Sequence, residues 1–250
     1  MAESVQTDVE RCKPSMKQQF LKKESSSSLL LIFGGWGTWP GLFSSNMFPQ
    51  GYDVMLCYDY HSLDFDASQT DGYDNVRLIA WSMGVWAASV VFGGNRLKEG
   101  QVWEECIAVN GTMYPRDNEK GIPESVFDGT LDNMSSPVIV KFRRRMCGKS
   151  YQQFLSLLSD SERTVEDLKE ELSSLRNAVI LKGASVAENC FRDNTDRRQF
   201  FWSRAIAGKD DLIFPFSAQK TAWNEAGVQV EERECAHYDA DLFHELISGL

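Results

Sequence analysis

The chain has 250 residues, with 26 Lys plus Arg against 36 Asp plus Glu and a formal net charge of −10. That length can bury a substantial core without staples, and the acidic balance argues against a dedicated nucleic-acid binder, whose affinity comes from neutralising phosphates. Cys12, Cys57, Cys106, Cys147, Cys190 and Cys235 stand singly with no C-x-x-C, a pattern of reduced thiols in a cytoplasmic protein rather than a disulfide framework or metal site.

Residues 1–28 are polar, end in Ser25 to Ser28 and contain a second start at Met16, so most of this arm is expected to be mobile. Lys17, Phe20, Leu21, Lys22 and Lys23 are the one part able to make a short first strand. No apolar segment follows the early lysines, and the first hydrophobic run, Leu29 to Phe33, is too short to span a bilayer. A soluble protein is therefore expected.

Three apolar runs, Leu29 to Phe33, Asp53 to Cys57 and Val76 to Trp81, suit buried parallel strands. Met83 to Phe92 follows as a helix, with Trp86, Ala87, Val90 and Val91 on helical spacing and Gly93-Gly94 to stop it. Cys106 to Asn110 makes a fourth strand.

Residues 113–199 are richer in charge and read as a mostly helical insertion. Tyr151, Phe154, Leu155 and Leu158 form one apolar stripe; Thr164 with Asp167 resembles a capping box for a helix with Val165, Leu168, Leu172 and Leu175 inward. Asn177 to Ser185 fits helix or strand, and Arg192 to Arg198 reads as a loop. Strand character returns at Phe200 to Ala207, a helix begins at Pro215, and a last strand, Val228 to Glu234, precedes a terminal amphipathic helix. This alternation predicts an α/β fold: a mainly parallel sheet flanked by helices, with a core of 29–112 and 200–250 and a helical cap at 113–199.

Within that frame, Ser82 stands at the tip of a turn between the run Val76 to Trp81 and the following helix. A nucleophile elbow has the pattern G-x-S-x-G, small residues being required where strand and helix crowd the turn. Ala80 and Gly84 fill those places, although the pentapeptide alone fits an ordinary strand-turn-helix equally well. A serine hydroxyl needs an imidazole to take its proton and a carboxylate to orient that imidazole. Asp211 and His237 follow later strands in the order Ser…Asp…His expected of α/β-hydrolases. His61 and His244 lie where a general base would not. Asp210 is a neighbouring alternative, but Gly208, Asp211 and Pro215 match the G-x-x-D pattern, with proline four residues on, that hydrolases often show.

An oxyanion hole needs two backbone N–H groups. Met83 supplies one, and the turn Phe33-Gly34-Gly35-Trp36-Gly37 the other, with Trp36 the favoured donor. Such a turn could equally cradle phosphate, but it does not fit G-x-G-x-x-G.

The set FGGWG (Phe33 to Gly37), CYDY (Cys57 to Tyr60), AWSMGVWAA (Ala80 to Ala88), FRRRMCG (Phe142 to Gly148), KDDLIFP (Lys209 to Pro215) and AHY (Ala236 to Tyr238) resembles the BioG family. These are pimeloyl-[acyl-carrier protein] methyl ester esterases of biotin synthesis. The resemblance runs from about Phe20 to the C-terminus. It implies a Ser82, Asp211 and His237 triad, an oxyanion hole of Trp36 and Met83, and an acyl-carrier protein bearing a methyl pimeloyl group as partner, with no metal or cofactor. Lys141, Arg143, Arg144, Arg145 and Lys149 form a basic cluster that reads as a solvated face on composition alone. Under the resemblance it becomes a docking surface for the acidic carrier. A monomer is expected. The competing readings are a general carboxylesterase or acyl thioesterase with the same triad, and a noncatalytic binding protein that keeps the scaffold.

Overall fold

The computed structural model of the chain describes residues 16–93, 97–98, 100–158, 163–183, 185–192 and 199–249. Cys12 and residues 193–198 of the loop expected over Arg192 to Arg198 lie outside them, and Arg192 itself closes β6. In chain order the strands are β1 (Lys17–Lys22), β2 (Ser28–Phe33), β3 (Tyr52–Tyr58), β4 (Asn75–Trp81), β5 (Val102–Val109), β6 (Phe191–Arg192), β7 (Gln199–Phe200), β8 (Arg204–Gly208) and β9 (Val230–Arg233). β6 and β7 make a small antiparallel ladder. The other seven form one sheet in the order β1-β3-β2-β4-β5-β8-β9, with β1 antiparallel to β3 and every other neighbour parallel.

The helices are α1 (Met83–Phe92), α2 (Glu124–Asp132), α3 (Ser136–Cys147), α4 (Tyr151–Leu157), α5 (Val165–Lys182), α6 (Ser185–Glu188), α7 (Phe216–Glu225) and α8 (Ala240–Ser248). Leu29 to Phe33 and Val54 to Cys57 are wholly buried, as expected of parallel strands covered on both faces. Each such side chain contributes about 1.5–3 kcal/mol by leaving water. α1 is buried from Met83 through Ser89, because it packs directly behind the sheet centre. Thr164 caps α5 by accepting from the Asp167 amide at 3.2 Å.

Four expectations change. Of the arm expected to be mostly mobile, the part from Met16 is built: β1, the short strand allowed near 17–23, pairs with β3, and Asp53 Oδ1 accepts from the amides of Glu24 and Ser26, which makes the serine run a built turn. The strand expected over 200–207 is divided, with Phe200 in β7 and β8 starting at Arg204. Leu155 faces outward, and Leu157 and Leu158 are half-buried beside the buried Phe154. α5 continues to Lys182, so most of the ambiguous stretch from Asn177 is helical.

From β2 the chain steps to β3 on one side and returns to β4 on the other, so the strand order reverses between β2 and β4. In parallel α/β sheets such a reversal opens a crevice at the carboxyl ends of the strands. There β2 ends in the glycine turn, β4 in Ser82, β8 leads to Asp211 and β9 to His237. Helices α2 to α5 fall between β5 and β8 in the chain. Among the described residues, no helix is long and apolar enough to cross a membrane.

Candidate active site

Ser82 joins β4 to α1 with φ 59° and ψ −127°, a left-handed conformation that a non-glycine residue adopts only when its surroundings impose it. Those surroundings are backbone. A Cβ on Gly84 would lie 2.3 Å from the Phe33 oxygen, and one on Gly111 would lie 2.4 Å from the Ser82 oxygen. Gly111→Ala should therefore destabilise the fold by about 1–3 kcal/mol through overpacking, read as a lower denaturant midpoint together with lost activity.

His237 Nε2 lies 2.9 Å from Ser82 Oγ, and His237 Nδ1 lies 2.8 Å from Asp211 Oδ2. All three residues are buried. Asp211 Oδ1 accepts from the amides of Ile213 and Phe214 at 2.7 and 2.9 Å, and Oδ2 also accepts from Gln219 Nε2 at 3.0 Å. Facing a carboxylate, Nδ1 donates, which leaves Nε2 to accept the serine proton. Phe214 stacks along the imidazole with ring centroids 5.9 Å apart. Asp210, the alternative acid, is exposed. His61 is bound to Asp59, and His244 lies on α8.

Three residues outside the triad hold this arrangement. Asn110 Nδ2 donates to the carbonyls of Ala236 and His237 at 3.0 Å each, while its Oδ1 accepts from the Gly208 amide at 2.7 Å. It thus ties the ends of β5 and β8 to the histidine loop. Trp81 Nε1 donates to the same His237 carbonyl at 2.8 Å, and Gln219 bonds Asp211. The only local signal was an asparagine directly after a strand, before glycine: Asn110 takes φ 46°, which asparagine tolerates better than most residues.

The glycine turn runs beside the serine. A Cβ on Gly35 would lie 3.0 Å from Ser82 Cβ and 3.3 Å from its Oγ. Met83 opens α1, where an amide has no partner within the helix. Trp36 and Met83 line one cleft with Ser82 and His237, and about 590 Å³ of empty space lies in it and its mouth. Its walls are mostly apolar and come from α2 (Phe127), α3 (Phe142, Met146) and α5 (Leu172). Trp36 is fastened by its indole N–H to the Leu168 carbonyl at 2.8 Å and by its ring edge to Phe142.

The basic cluster is split. Arg144, Arg145 and Lys149 are exposed, and among the described residues none of them has a carboxylate within ion-pair distance. Arg145 lies at the cleft and donates to the Leu212 carbonyl at 3.0 Å, and Arg144 covers the Tyr151 ring. Lys141 is exposed on the same helix, whereas Arg143 is half-buried, and burial pulls its pKa down.

Asp59, His61 and Asp167 offer three ligand atoms within 4.8 Å of one another. Lys17 already pairs with Asp59 at 2.8 Å and Arg163 with Asp167, so the cluster is neutralised by cations of the chain itself. Burial raises the Asp59 pKa, but Lys17 and Arg163 outweigh it and hold the carboxyl below its ordinary value.

The profile of a family described as pimeloyl-ACP methyl esterase BioG matches residues 16–247. A malonyl-[acyl-carrier protein] O-methyltransferase of Bacteroides fragilis is 39% identical over 227 residues, covering 90% of this chain and 41% of that protein. The chain thus spans about two-fifths of that relative's length. A crystal structure of BioG from Haemophilus influenzae superposes with a TM-score of 0.74 and 33% identity, covering 92% of this chain and 97% of that one. An esterase from a Rhodococcus species shares the fold at a TM-score of 0.62 and 12% identity, covering 93% and 92%. Matched by the family profile over nearly all its length, and sharing a third of its residues with a solved BioG, the chain belongs to the BioG family and has the α/β-hydrolase fold.

Proposed function

We propose that the protein is a serine esterase that removes the ω-methyl ester from a pimeloyl group carried on acyl-carrier protein, a step of biotin synthesis, with Ser82, His237 and Asp211 as triad. The observation that carries this reading is the unbroken chain Asp211, His237, Ser82, with links of 2.8 and 2.9 Å, at the floor of an apolar cleft. In the reaction Ser82 Oγ attacks the ester carbonyl while His237 Nε2 takes its proton. The amides of Trp36 and Met83 receive the developing oxyanion. Collapse of the tetrahedral intermediate expels methoxide, which leaves as methanol with the proton from His237. Water then attacks the acyl-enzyme, its proton passing to His237 and on to Ser82, and releases the pimeloyl carboxylate.

The choice of ester is supported from two sides. Apolar walls suit a methylene chain, and the B. fragilis relative is named for placing a methyl group on a carrier-linked acid, which makes the kind of bond this reaction breaks. We assign the helices of 113–199 as the cap over the cleft, and Arg144, Arg145 and Lys149, with Lys141, as the face that meets the acidic carrier. Mass-spectrometric assay of methyl pimeloyl-carrier protein tests the substrate directly: one methyl group should be lost with the wild type. Faster cleavage of the thioester end, or equal preference for free methyl pimelate, would favour a general thioesterase or carboxylesterase.

Reversing Arg144 and Lys149 to glutamate should lower kcat/KM for the carrier-linked ester about ten- to a hundredfold relative to free methyl pimelate at low salt, and the gap should close as salt screens the charges. An unchanged ratio at all salt concentrations would remove these residues from the docking surface.

A further inference from the structure

Glu171 is wholly buried on α5, outside the triad, yet its carboxylate meets three donors. Oε1 accepts from the Tyr60 amide at 3.0 Å, and Oε2 from the Gly37 amide at 3.1 Å and from Arg163 Nη2 at 2.9 Å. Arg163 is itself buried and reaches Asp59 Oδ1 at 3.5 Å. Burial pushes the Glu171 pKa up, while Arg163 and the two amides work against that shift. A charge in the interior is costly, and a neutral or apolar side chain of similar volume often serves packing as well. The contacts of Glu171 indicate what the charge is used for.

They converge on the turn proposed to hold the oxyanion. Three of its four residues from Gly34 to Gly37 are glycine, and such a backbone has wide conformational freedom unless held. Tyr60 Oη donates to the Gly34 carbonyl at 2.7 Å, and Glu171 holds both the Tyr60 amide and the Gly37 amide. Leu168, one turn earlier on α5, accepts from the Trp36 indole, and its Cδ2 lies 3.0 Å from where a Gly37 Cβ would stand. The Trp36 amide is thus bracketed on both sides, and α5 supplies most of the bracket.

Resting on the esterase reading above, we infer that Glu171 is a positioning residue: by fixing Gly37 and Tyr60 it aims the Trp36 amide at the oxyanion. It touches no substrate. The inserted helices would then contribute to rate on every ester, carrier-linked or free, and not only to substrate binding. Donors must stand about 2.7–3.1 Å from the oxyanion, and a misplacement of roughly 1 Å costs on the order of a hundredfold.

The test uses Glu171→Gln in the full chain, with active sites counted by end-point labelling with a fluorophosphonate. Glutamine keeps one acceptor but sets an NH2 against a second donor. Per labelled site, kcat should fall about ten- to a hundredfold for both methyl pimeloyl-carrier protein and methyl pimelate, with KM within about twofold. Inhibition by a boronic acid, whose tetrahedral adduct needs the oxyanion donors, should weaken by the same factor as kcat. A lower melting temperature with unchanged kcat per site and unchanged boronate affinity would make Glu171 purely structural and overturn the inference. If Glu171→Gln yields no folded protein, Glu171→Asp carries the same test, since it keeps the charge but draws the carboxylate back from the Tyr60 and Gly37 amides; unchanged kcat and boronate affinity there would overturn it equally. Failure of the esterase reading would show separately, in a wild type that neither labels nor hydrolyses the ester.

Discussion

Ser82→Ala should reduce hydrolysis of methyl pimeloyl-carrier protein by about ten-thousand-fold or more, while leaving the fold intact. The size of the effect follows from covalent catalysis: without the hydroxyl no acyl-enzyme forms, and His237 has no oriented proton donor to activate. Loss of a triad serine typically leaves only the residual rate supplied by oxyanion donors and binding. Stability should barely change, because among the described residues the Ser82 side chain makes one hydrogen bond, to His237. The strained φ of 59° is imposed by the packing of Gly84 and Gly111 against the backbone and is the same for alanine. Mass spectrometry of the carrier-linked ester gives the rate, and a fluorophosphonate probe gives the site. Labelling of Ser82→Ala as strong as that of the wild type would place the nucleophile elsewhere.

What the sequence could reveal about this arrangement follows the range of the interactions involved. Runs such as Leu29 to Phe33 and Val76 to Trp81 expose their buried, parallel character through composition alone, and both are strands. Ser82, Asp211 and His237 could be singled out because each follows a strand at the carboxyl edge of a sheet, so chain order encodes their meeting. Glu171 and Gln219 carry no such mark. They sit within amphipathic helices, and their partners Gly37 and Asp211 are met only after the helices pack. Asn110 reaches His237 across more than a hundred residues through its side-chain amide, a contact that no periodicity anticipates. Arg143 and Arg144 show the same limit at the surface. Adjacent in sequence and alike in charge, they are separated by the rotation of α3, which half-buries one and exposes the other. β1 has a similar cause, since its residues allow a short strand in a polar arm and the ladder with β3 makes it one.

The choice between the adjacent acids gives the second large effect. Asp211→Asn should lower kcat about ten-thousand-fold, whereas Asp210→Asn should stay within about twofold of the wild type, as surface substitutions usually do. At position 211 every group around the carboxylate is a donor: the amides of Ile213 and Phe214 on Oδ1, and Gln219 and His237 on Oδ2. An asparagine must turn its NH2 toward one of these pairs. Turned toward the two amides, it would leave buried donors facing a donor, at about 1–3 kcal/mol for each group left unsatisfied. Turned toward the histidine, it keeps both amide bonds and can donate to Nδ1, while Gln219, which loses its acceptor here, still donates to the Phe214 carbonyl at 2.8 Å, so this orientation prevails. An imidazole that accepts at Nδ1 carries its proton on Nε2, the atom that lies 2.9 Å from Ser82 Oγ. It can then no longer take the serine proton, and attack on the ester stops although the residues remain in place. Asp210 is exposed and its backbone amide bonds the Cys235 carbonyl, so an amide side chain there disturbs nothing that touches His237. Steady-state kcat on the free methyl ester separates the two variants without the carrier. A large loss in Asp210→Asn with activity kept in Asp211→Asn would transfer the acid's role to the exposed neighbour.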